Sequence, residues 1–468
     1  MQRYATADGI LLRDRDVTAL FRADTMSLSL VEDSRMPLER LSHDLLRETP
    51  ASETSFALDR RGAILPLLFG TNARTPKPLL GRFTINISNA CNLACEYCYA
   101  DHGLYHSPKS LMSPARAEAL VARITAMYRE VRTVHYFGGE PLMNIAAIDA
   151  IGNAFEQAVA DGRLPSLPSF VATTNGTLSG TRVLQALKRW GIELTVSWDG
   201  PDAVHDRIRP TATGKSSSRL LRRTLERFDA EGIKYDFECT YCQAHLDAGI
   251  SVVDLMDFFA AESEGRIFHI APAVLPDDEQ RESELASAIF DDHGDWQKWR
   301  TSMSRLVPLY RDAAAVSLRN FLRREGPMVE FAARIIEQLI KKERSQTYCP
   351  AFFSQLSVAE DGSVFPCFMF IGDKEFRLGN LFEDDFPNAA SQRVFHRYFS
   401  EFGQGALGTD AWYAPLSGGC IAGDAVATGS FGRRAMAPIY EAMAEECVIG
   451  LARHTTRTEM HREEKING

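Results

Sequence analysis

The chain has 468 residues, a formal net charge of −10, 45% hydrophobic and 24% charged residues. A chain of that length is too long to fold around one small hydrophobic core, so we expect two or three domains. The acidic balance argues against a nucleic-acid binder, which presents a basic face to phosphates. The sequence has no run of about 18 apolar residues, so it predicts no membrane-spanning helix. Its first residues also lack the basic stretch followed by an apolar stretch that marks a secretory signal. We therefore expect a cytoplasmic protein without membrane contact, whose 9 cysteines serve metal or cluster binding rather than disulfides.

Residues 1–78 are predicted to form a small α+β segment. They hold short apolar runs and one amphipathic stretch, 37–48, in which Leu41, Leu45 and Leu46 share a helical face. The segment is therefore expected to pack at least one helix.

Residues 79–275 alternate strand-like and helix-like stretches, which predicts an α/β fold with a parallel sheet. Six such units are fewer than the eight of a closed barrel, so we expect an open, partial (β/α)6 barrel. The predicted strands are 81–87, 133–137, 169–173, 193–198, 234–239 and 266–271, and the predicted helices are 115–130, 145–161, 181–190, 218–231 and 252–263.

Beyond the barrel the pattern changes twice. Residues 276–345 are predicted to form a helical region that connects the barrel to the C-terminal part. It has an acidic loop or short helix over 277–295 and helices over 296–342 that break at Pro308 and at Gly326-Pro327. Residues 346–451 are rich in glycine, cysteine and aromatic residues and end in a predicted helix, 436–451. The charged tail, 452–468, is predicted to be disordered.

Three cysteines directly follow the first barrel strand. Cys91, Cys95 and Cys98 have the spacing C-x3-C-x2-C and lie at the carboxyl end of that strand, where barrel-like folds carry their chemistry. A [4Fe–4S] cluster usually takes four thiolates, so three would leave one iron open to a cofactor or substrate. A Cys3His zinc site that includes His102 or His106 is the competing interpretation, and cysteines that are merely buried are another.

This loop, with Tyr97 just before the third cysteine, resembles the cluster motif of the radical S-adenosyl-L-methionine (SAM) superfamily, and residues 79–275 resemble that family's core. GGEP at 138–141, TTNG at 173–176 and SWDGP at 197–201 follow in the order found in its peptide-modifying branch. The resemblance implies that SAM binds near the ends of these strands. The implied SAM-binding residues are Gly138, Gly139 and Glu140 at its amino group, Ser197 and Asp199 at its ribose or carboxylate, and also Asn175 and Arg209. The alternative role of Arg209 is to stabilise the loop that carries it.

The resemblance also implies a reaction. SAM would chelate the open iron, one electron from the reduced cluster would cleave a C–S bond, and the 5′-deoxyadenosyl radical would abstract hydrogen from a substrate. A flavodoxin or ferredoxin is the expected electron donor.

A second cysteine group resembles the SPASM or twitch domains, which carry auxiliary [4Fe–4S] clusters. Cys349 and Cys367 form C-x12-G-x4-C, with Gly362 placed for a hairpin turn. Gly418-Gly419-Cys420 resembles a later part of that domain, and Cys447 is a candidate closing cysteine whose alternative is plain burial.

The second group departs from a full SPASM domain. Counting back from Cys420, three further cysteine positions hold Leu407, Asp410 and Leu416. We therefore predict one auxiliary [4Fe–4S] cluster, held by Cys349, Cys367 and Cys420. Its fourth ligand is Cys447, Asp410 or no residue, and an open site would let the cluster bind a substrate cysteine.

Cys239 and Cys242 form a C-x2-C pair after the fifth predicted strand. Such a pair invites a redox or ligand role, but neither the family pattern nor a thioredoxin-like context supports one. A structural role is therefore favoured.

The combined pattern favours a maturase that acts on a peptide or protein and forms a thioether or carbon–carbon cross-link. In related enzymes a segment like 1–78 grips a leader peptide, and a packing cap is the alternative here. A small-molecule radical SAM enzyme, a residue epimerase and a formylglycine-type oxidase remain alternatives, although Phe368 follows Cys367 where formylglycine makers have an aspartate base. A non-catalytic iron–sulfur or zinc protein is the last alternative.

Overall fold

A computed structural model describes residues 2–5, 9–14, 17–22, 25–30, 77–273, 296–343, 349–401, 412–414, 416–417, 419–431 and 434–467. These residues build a 4-stranded antiparallel sheet and an 11-stranded mixed sheet. The predicted helix over 37–48 and the predicted loop over 277–295 lie outside the described residues. Within the described part, no helix has both the length and the apolarity needed to cross a bilayer.

The small sheet is formed by the N-terminal residues. Its strands pair in chain order and are β1 (Gln2–Ala5), β2 (Gly9–Asp14), β3 (Val17–Arg22) and β4 (Ser27–Leu30). Leu11, Leu12 and Phe21 are fully buried. The ring of Phe21 lies 6.0 Å from that of Trp412, and Asp14 pairs with Arg453, so this sheet packs on the C-terminal part of the chain.

The large sheet contains the predicted partial barrel. Six parallel strands lie side by side in chain order, with helices in their crossovers, as the alternating pattern predicts. The strands are β5 (Leu79–Asn89), β7 (Glu130–Gly138), β8 (Ser169–Thr174), β9 (Glu193–Ser197), β10 (Tyr235–Tyr241) and β11 (Ile267–Pro272), with the two-residue β6 (Ser110–Leu111) beside β5. The helices are α1 (Pro114–Met127), α2 (Ile145–Ala160), α3 (Thr181–Trp190), α4 (Asp202–Ile208), α5 (Ser218–Glu231), α6 (Gln243–Asp247) and α7 (Val252–Glu262).

The C-terminal part extends the barrel sheet at both edges. The strand β12 (Met328–Val329) joins β11, and β13 (Gln355–Val358) pairs in parallel with β5. An antiparallel hairpin links β13 to β14 (Ser363–Phe365), which pairs with β15 (Gly379–Asn380). Gly362 turns this hairpin with a φ of 89°, as predicted. The helices are α8 (Trp296–Arg323), α9 (Glu330–Lys341), α10 (Ala389–Glu401), α11 (Ile421–Thr428) and α12 (Ala437–Asn467).

Two helix predictions are wrong. Helix α8 continues without interruption through Pro308, where a break was expected. Its Leu306, Tyr310 and Ala314 are fully buried, and this packing outweighs the lost backbone hydrogen bond. Helix α12 continues to Asn467 rather than ending before a disordered tail, since no proline or glycine interrupts 451–467.

Candidate functional site

The cluster loop, residues 90–98, follows β5 and is held by a neighbouring segment. The amide of Ala94 donates to the carbonyl of Pro210 and that of Glu96 to the carbonyl of Ile208, each at 2.9 Å. The loop therefore lies antiparallel to the chain that follows α4. This pairing fixes the backbone that carries Cys91, Cys95 and Cys98.

The three cysteines of the cluster loop lie close to one another. Burial is the main cause that raises the pKa of Cys91 to about 11 and that of Cys95 to about 12, and the nearby Cys98 contributes to both shifts. The amide of Leu93 donates to Cys91 Sγ at 3.4 Å, and Asn175 Nδ2 does so at 3.7 Å. Buried thiols of this kind become thiolates when a metal binds them. The group therefore fits a cluster that takes one thiolate per iron.

The zinc alternative has less support. His102 and His106 are exposed and have positive φ values of 52° and 55°. In the ranges that the structure describes, no three His, Cys, Asp or Glu side chains converge on a position for a single metal ion. A four-iron cluster instead keeps its cysteine ligands apart, each on its own iron.

Glycines let the end of β7 pack against the cluster loop. Gly138 has a φ of 144°, and a Cβ on Gly139 would lie 2.3 Å from the carbonyl oxygen of Ala90. The amides of Gly139 and Glu140 donate to the carbonyls of Ser88 and Ala90, both at 2.8 Å. Only a residue without a side chain permits this approach.

The carboxylate of Glu140 is fully buried and bonded within the protein. Its Oε1 accepts from the Leu142 amide at 3.0 Å and from Thr174 Oγ1 at 2.8 Å, and its Oε2 accepts from the Asn175 amide at 2.7 Å. Burial raises its pKa to about 7, against these hydrogen bonds. Glu140 thus ties the GGEP turn to the TTNG turn, and its contact with a SAM amino group stays a prediction.

Asp199 connects the cluster loop to β9. Its Oδ2 accepts from Tyr97 Oη at 2.5 Å and from Arg209 Nε at 2.7 Å, and its Oδ1 accepts from the Thr240 amide at 2.9 Å. Burial raises the pKa of Asp199, but the positive charge of Arg209, together with two nearby histidines and the Tyr97 hydrogen bond, outweighs burial and holds that pKa below its usual value. Arg209, which lies 5.2 Å from the ring centroid of Tyr97, therefore helps to hold the cluster loop, and its contact with SAM stays a prediction.

Two histidines hold the peptide groups of Asp199. The Asp199 amide donates to His205 Nδ1 at 3.1 Å, and His245 Nε2 donates to the Asp199 carbonyl at 3.0 Å. His245 belongs to no motif and was not predicted from the sequence. Cys242 Sγ and Cys239 Sγ lie buried beside it, 3.5 Å from Nδ1 and 4.0 Å from Nε2, in keeping with the favoured structural role.

Asn175 and Ser197 lie at the ends of neighbouring strands. Asn175 Nδ2 donates to Asn92 Oδ1 at 2.9 Å, next to Cys91, and Ser197 Oγ donates to Glu238 Oε1 at 2.7 Å. Both side chains are therefore near the cluster loop or the barrel interior, where the resemblance puts SAM.

The auxiliary trio, Cys349, Cys367 and Cys420, comes together from three separate elements. Burial raises the pKa of Cys367, and the nearby thiols of Cys349 and Cys420 contribute to the same shift. Burial and Cys349 likewise raise the pKa of Cys420 to about 12. Cys420 also caps α11, since its Sγ accepts from the Gly423 amide at 3.3 Å.

The other predicted auxiliary positions differ. Cys447 is fully buried within α12, and burial together with the charge of Glu446, rather than of another cysteine, raises its pKa. Leu416 is buried, whereas Leu407 and Asp410 lie outside the described residues. Three of the four predicted auxiliary cysteines are thus near enough for one thiol to affect the pKa of another, whereas no other cysteine among the described residues affects that of Cys447.

Comparison with known families agrees with this geometry. The Radical SAM superfamily profile matches residues 85–235. The radical SAM cyclopropyl synthase TigE of Paramaledivibacter caminithermalis is 28% identical over 30% of this chain and 31% of its own length. A cysteine-type anaerobic sulfatase-maturating enzyme of Clostridium novyi is 22% identical over 71% of this chain and 85% of its own length. The chain thus spans about a third of some curated relatives and most of another.

Solved structures share the fold. The structure of anSMEcpe with bound AdoMet has a TM-score of 0.60 at 18% identity, covering 81% of this chain and 96% of that one. Streptococcus suis SuiB bound to precursor peptide SuiA has a TM-score of 0.51 at 14% identity, covering 92% of this chain and 98% of that one. At these identities the likeness is one of fold.

Proposed function

Because the Radical SAM superfamily profile matches residues 85–235, we propose that this chain is a radical SAM peptide or protein maturase that forms a thioether or carbon–carbon cross-link. The observation that carries the proposal is the pairing of β13 with β5. It attaches the segment with the auxiliary trio directly to the strand that ends in the cluster loop. Two cysteine groups therefore flank one barrel interior, an arrangement suited to a large substrate held between two clusters.

The chain's own residues would hold and shield the cofactors. Cys91, Cys95 and Cys98 would hold a [4Fe–4S] cluster, which together with SAM supplies hydrogen-atom abstraction when bound. Tyr97 and Arg209 hold the cluster loop to Asp199, and Asn175 donates to Cys91 Sγ. These contacts orient the loop and keep it rigid, which is the part the protein plays in cofactor chemistry.

The auxiliary trio would hold a second [4Fe–4S] cluster. Three cysteines leave one iron without a protein thiolate, and this iron would bind a substrate cysteine. A flavodoxin or ferredoxin would supply electrons.

The position after Cys367 separates the proposed reaction from formylglycine formation. Phe368 stands there, and its ring lies 4.3 Å from that of Phe137. A phenyl ring accepts no proton, so an oxidation that needs a base at this position is not supported. Cross-linking is therefore the better match.

The test combines iron content with SAM cleavage in anaerobically reconstituted protein. The variants are wild type, a Cys91/Cys95/Cys98→Ala triple, a Cys349/Cys367/Cys420→Ala triple and the control Cys447→Ala. We expect about eight irons in wild type and about four in each triple, at four irons per cluster. With dithionite, 5′-deoxyadenosine should form in wild type and disappear in the first triple.

Three outcomes would count against the proposal. A wild type that makes no 5′-deoxyadenosine, or turnover that survives in the first triple, removes the radical SAM assignment of the cluster loop. About four irons in wild type removes the auxiliary cluster. Loss of iron in Cys447→Ala would make Cys447 a ligand.

A further inference from the structure

Three adjacent strands present polar side chains on one face of the sheet. The parallel register pairs Gln355 with Arg82, Ser357 with Thr84, and Thr84 with His135. Paired residues of parallel strands point to the same side, so these side chains share a face.

This face is the inner one. The opposite face of β7 and β8 packs on helices, since Val134 pairs with Phe170, whose ring lies 6.3 Å from Phe155 of α2. His135, one residue along from Val134, therefore faces the barrel interior.

The inner face holds buried polar atoms without partners. Thr84 Oγ1, His135 Nδ1 and Gln355 Oε1 have no hydrogen-bond partner in the part of the chain that the structure describes. Their residues are 0%, 8% and 2% exposed. His135 Nε2 already bonds to Thr173 Oγ1 at 3.0 Å, so its Nδ1 is the atom left over. Buried polar atoms normally have partners, so such a group of exceptions calls for an explanation.

A positive charge lies in the same place. Arg82 pairs with Thr133 of β7 on one side and with Gln355 of β13 on the other, so it lies between β7 and the segment that carries the auxiliary trio. Burial lowers the pKa of His135, and the positive charge of Arg82 lowers it further. Among the described residues, no Asp or Glu carboxylate pairs with Arg82, whereas Arg209 has its Asp199.

We propose that the polar recess formed by Arg82, Thr84, His135 and Gln355 binds a carboxylate of the substrate. The forked guanidinium matches a carboxylate in charge and geometry. The Thr84 hydroxyl and His135 Nδ1 can donate to its oxygens, while Gln355 Oε1 can accept a neighbouring peptide N–H. The rings of Phe137 and Phe368 lie beside His135, at 5.3 and 6.2 Å, and place the recess next to Cys367.

The proposed carboxylate site adds a substrate contact to the proposed function. It rests on that function in one respect, namely that the substrate enters the barrel. The carboxylate has two possible sources, an acidic side chain and a peptide C-terminus. Three probes separate them: acetyl-Ala-Glu-Ala-amide, acetyl-Ala-Gln-Ala-amide and acetyl-Ala-Gln-Ala with a free carboxylate. Binding to the reconstituted, unreduced protein is measured by saturation-transfer NMR.

We expect wild type to bind at least one carboxylate probe about tenfold or more tighter than the uncharged probe, the range of a charge-assisted contact. The preferred probe identifies the source. The variant Arg82→Gln should lose this preference, and Arg82→Lys should keep part of it. The matched control is Arg132→Gln. Arg132 lies on the neighbouring strand β7, but it is exposed and pairs with Glu130.

Equal binding of all three probes by wild type, or a preference that survives in Arg82→Gln, overturns the proposal. If Arg82→Gln fails to fold, Thr84→Val decides, because it removes an unpartnered hydroxyl and keeps the shape. Its preference should fall about two- to tenfold, as for one hydrogen bond, and an unchanged preference overturns the recess. Since no SAM cleavage is involved, protein that binds the carboxylate probes but makes no 5′-deoxyadenosine would refute the proposed function alone.

Discussion

The replacement Asp199→Asn tests whether the buried network holds the cluster loop. It keeps the shape of the side chain but leaves Arg209, 8% exposed, as a buried charge without its partner. Removing one member of a buried ion pair costs about 3–5 kcal/mol. If that cost falls on the cluster loop, local opening should increase about 100- to 5,000-fold. Tyr97→Phe removes a single hydrogen bond, worth about 0.5–1.5 kcal/mol, and should increase opening about 2- to 13-fold.

Hydrogen exchange of peptides that cover residues 91–98 measures this opening, with mass spectrometry of the apoprotein as the readout. The double variant Asp199→Asn/Arg209→Met removes the unpaired charge and should recover part of the protection. The control Asp161→Asn changes an exposed carboxylate and should have no effect on the loop. Unchanged exchange in folded Asp199→Asn protein would refute the view that Asp199 anchors the loop.

Two further predictions concern packing and pH. Gly139→Ala would put a Cβ 2.3 Å from the Ala90 carbonyl oxygen, so we expect the cluster loop to shift and iron content to fall, whereas Gly180→Ala, which meets nothing within 4 Å, should keep full iron. His269 Nδ1 lies 2.6 Å from Glu330 Oε2. Burial disfavours the charged forms of both side chains. Their hydrogen bond and opposite charges nevertheless raise the pKa of His269 above 6.5 and lower that of Glu330 from 4.5 to about 2. The pair therefore stabilises most between pH 4.5 and 6.5, less as pH rises through the His269 pKa or falls towards 2. The thermal midpoint difference between wild type and Glu330→Gln should peak there, and a flat difference from pH 3 to 9 would contradict this reasoning.

The sequence predicted the barrel well because its strands and long helices have strong periodic patterns. All six predicted barrel strands are present, and the helix predicted over 181–190 has those bounds. Helices α4 and α6, with 7 and 5 residues, are too short to show a helical period and were missed. Pro308 was misjudged because a local rule cannot weigh the tertiary packing of α8.

The candidate site divides in the same way. Cysteine spacing is local, so both cysteine groups could be identified from sequence, whereas the support of Asp199 by His245 joins residues 46 positions apart. Arg82 and His135 were not predicted to face the barrel interior because their strands are buried on both faces. In such strands, residue type alone does not say which side chains face the interior.

Pairing between β13 and β5 explains why the second cysteine group matters to the barrel. Strand β5 carries Arg82 and Thr84 on its inner face, ends in the cluster loop and contacts β13 along four residue pairs. A shift of β13 by one residue would turn Gln355 and Ser357 to the outer face, because side chains alternate along a strand. The register that aligns Ser357 with Thr84 therefore also decides that the auxiliary segment lines the interior. Without this register the auxiliary segment would present a different set of side chains to the barrel interior, even with the cysteine trio intact.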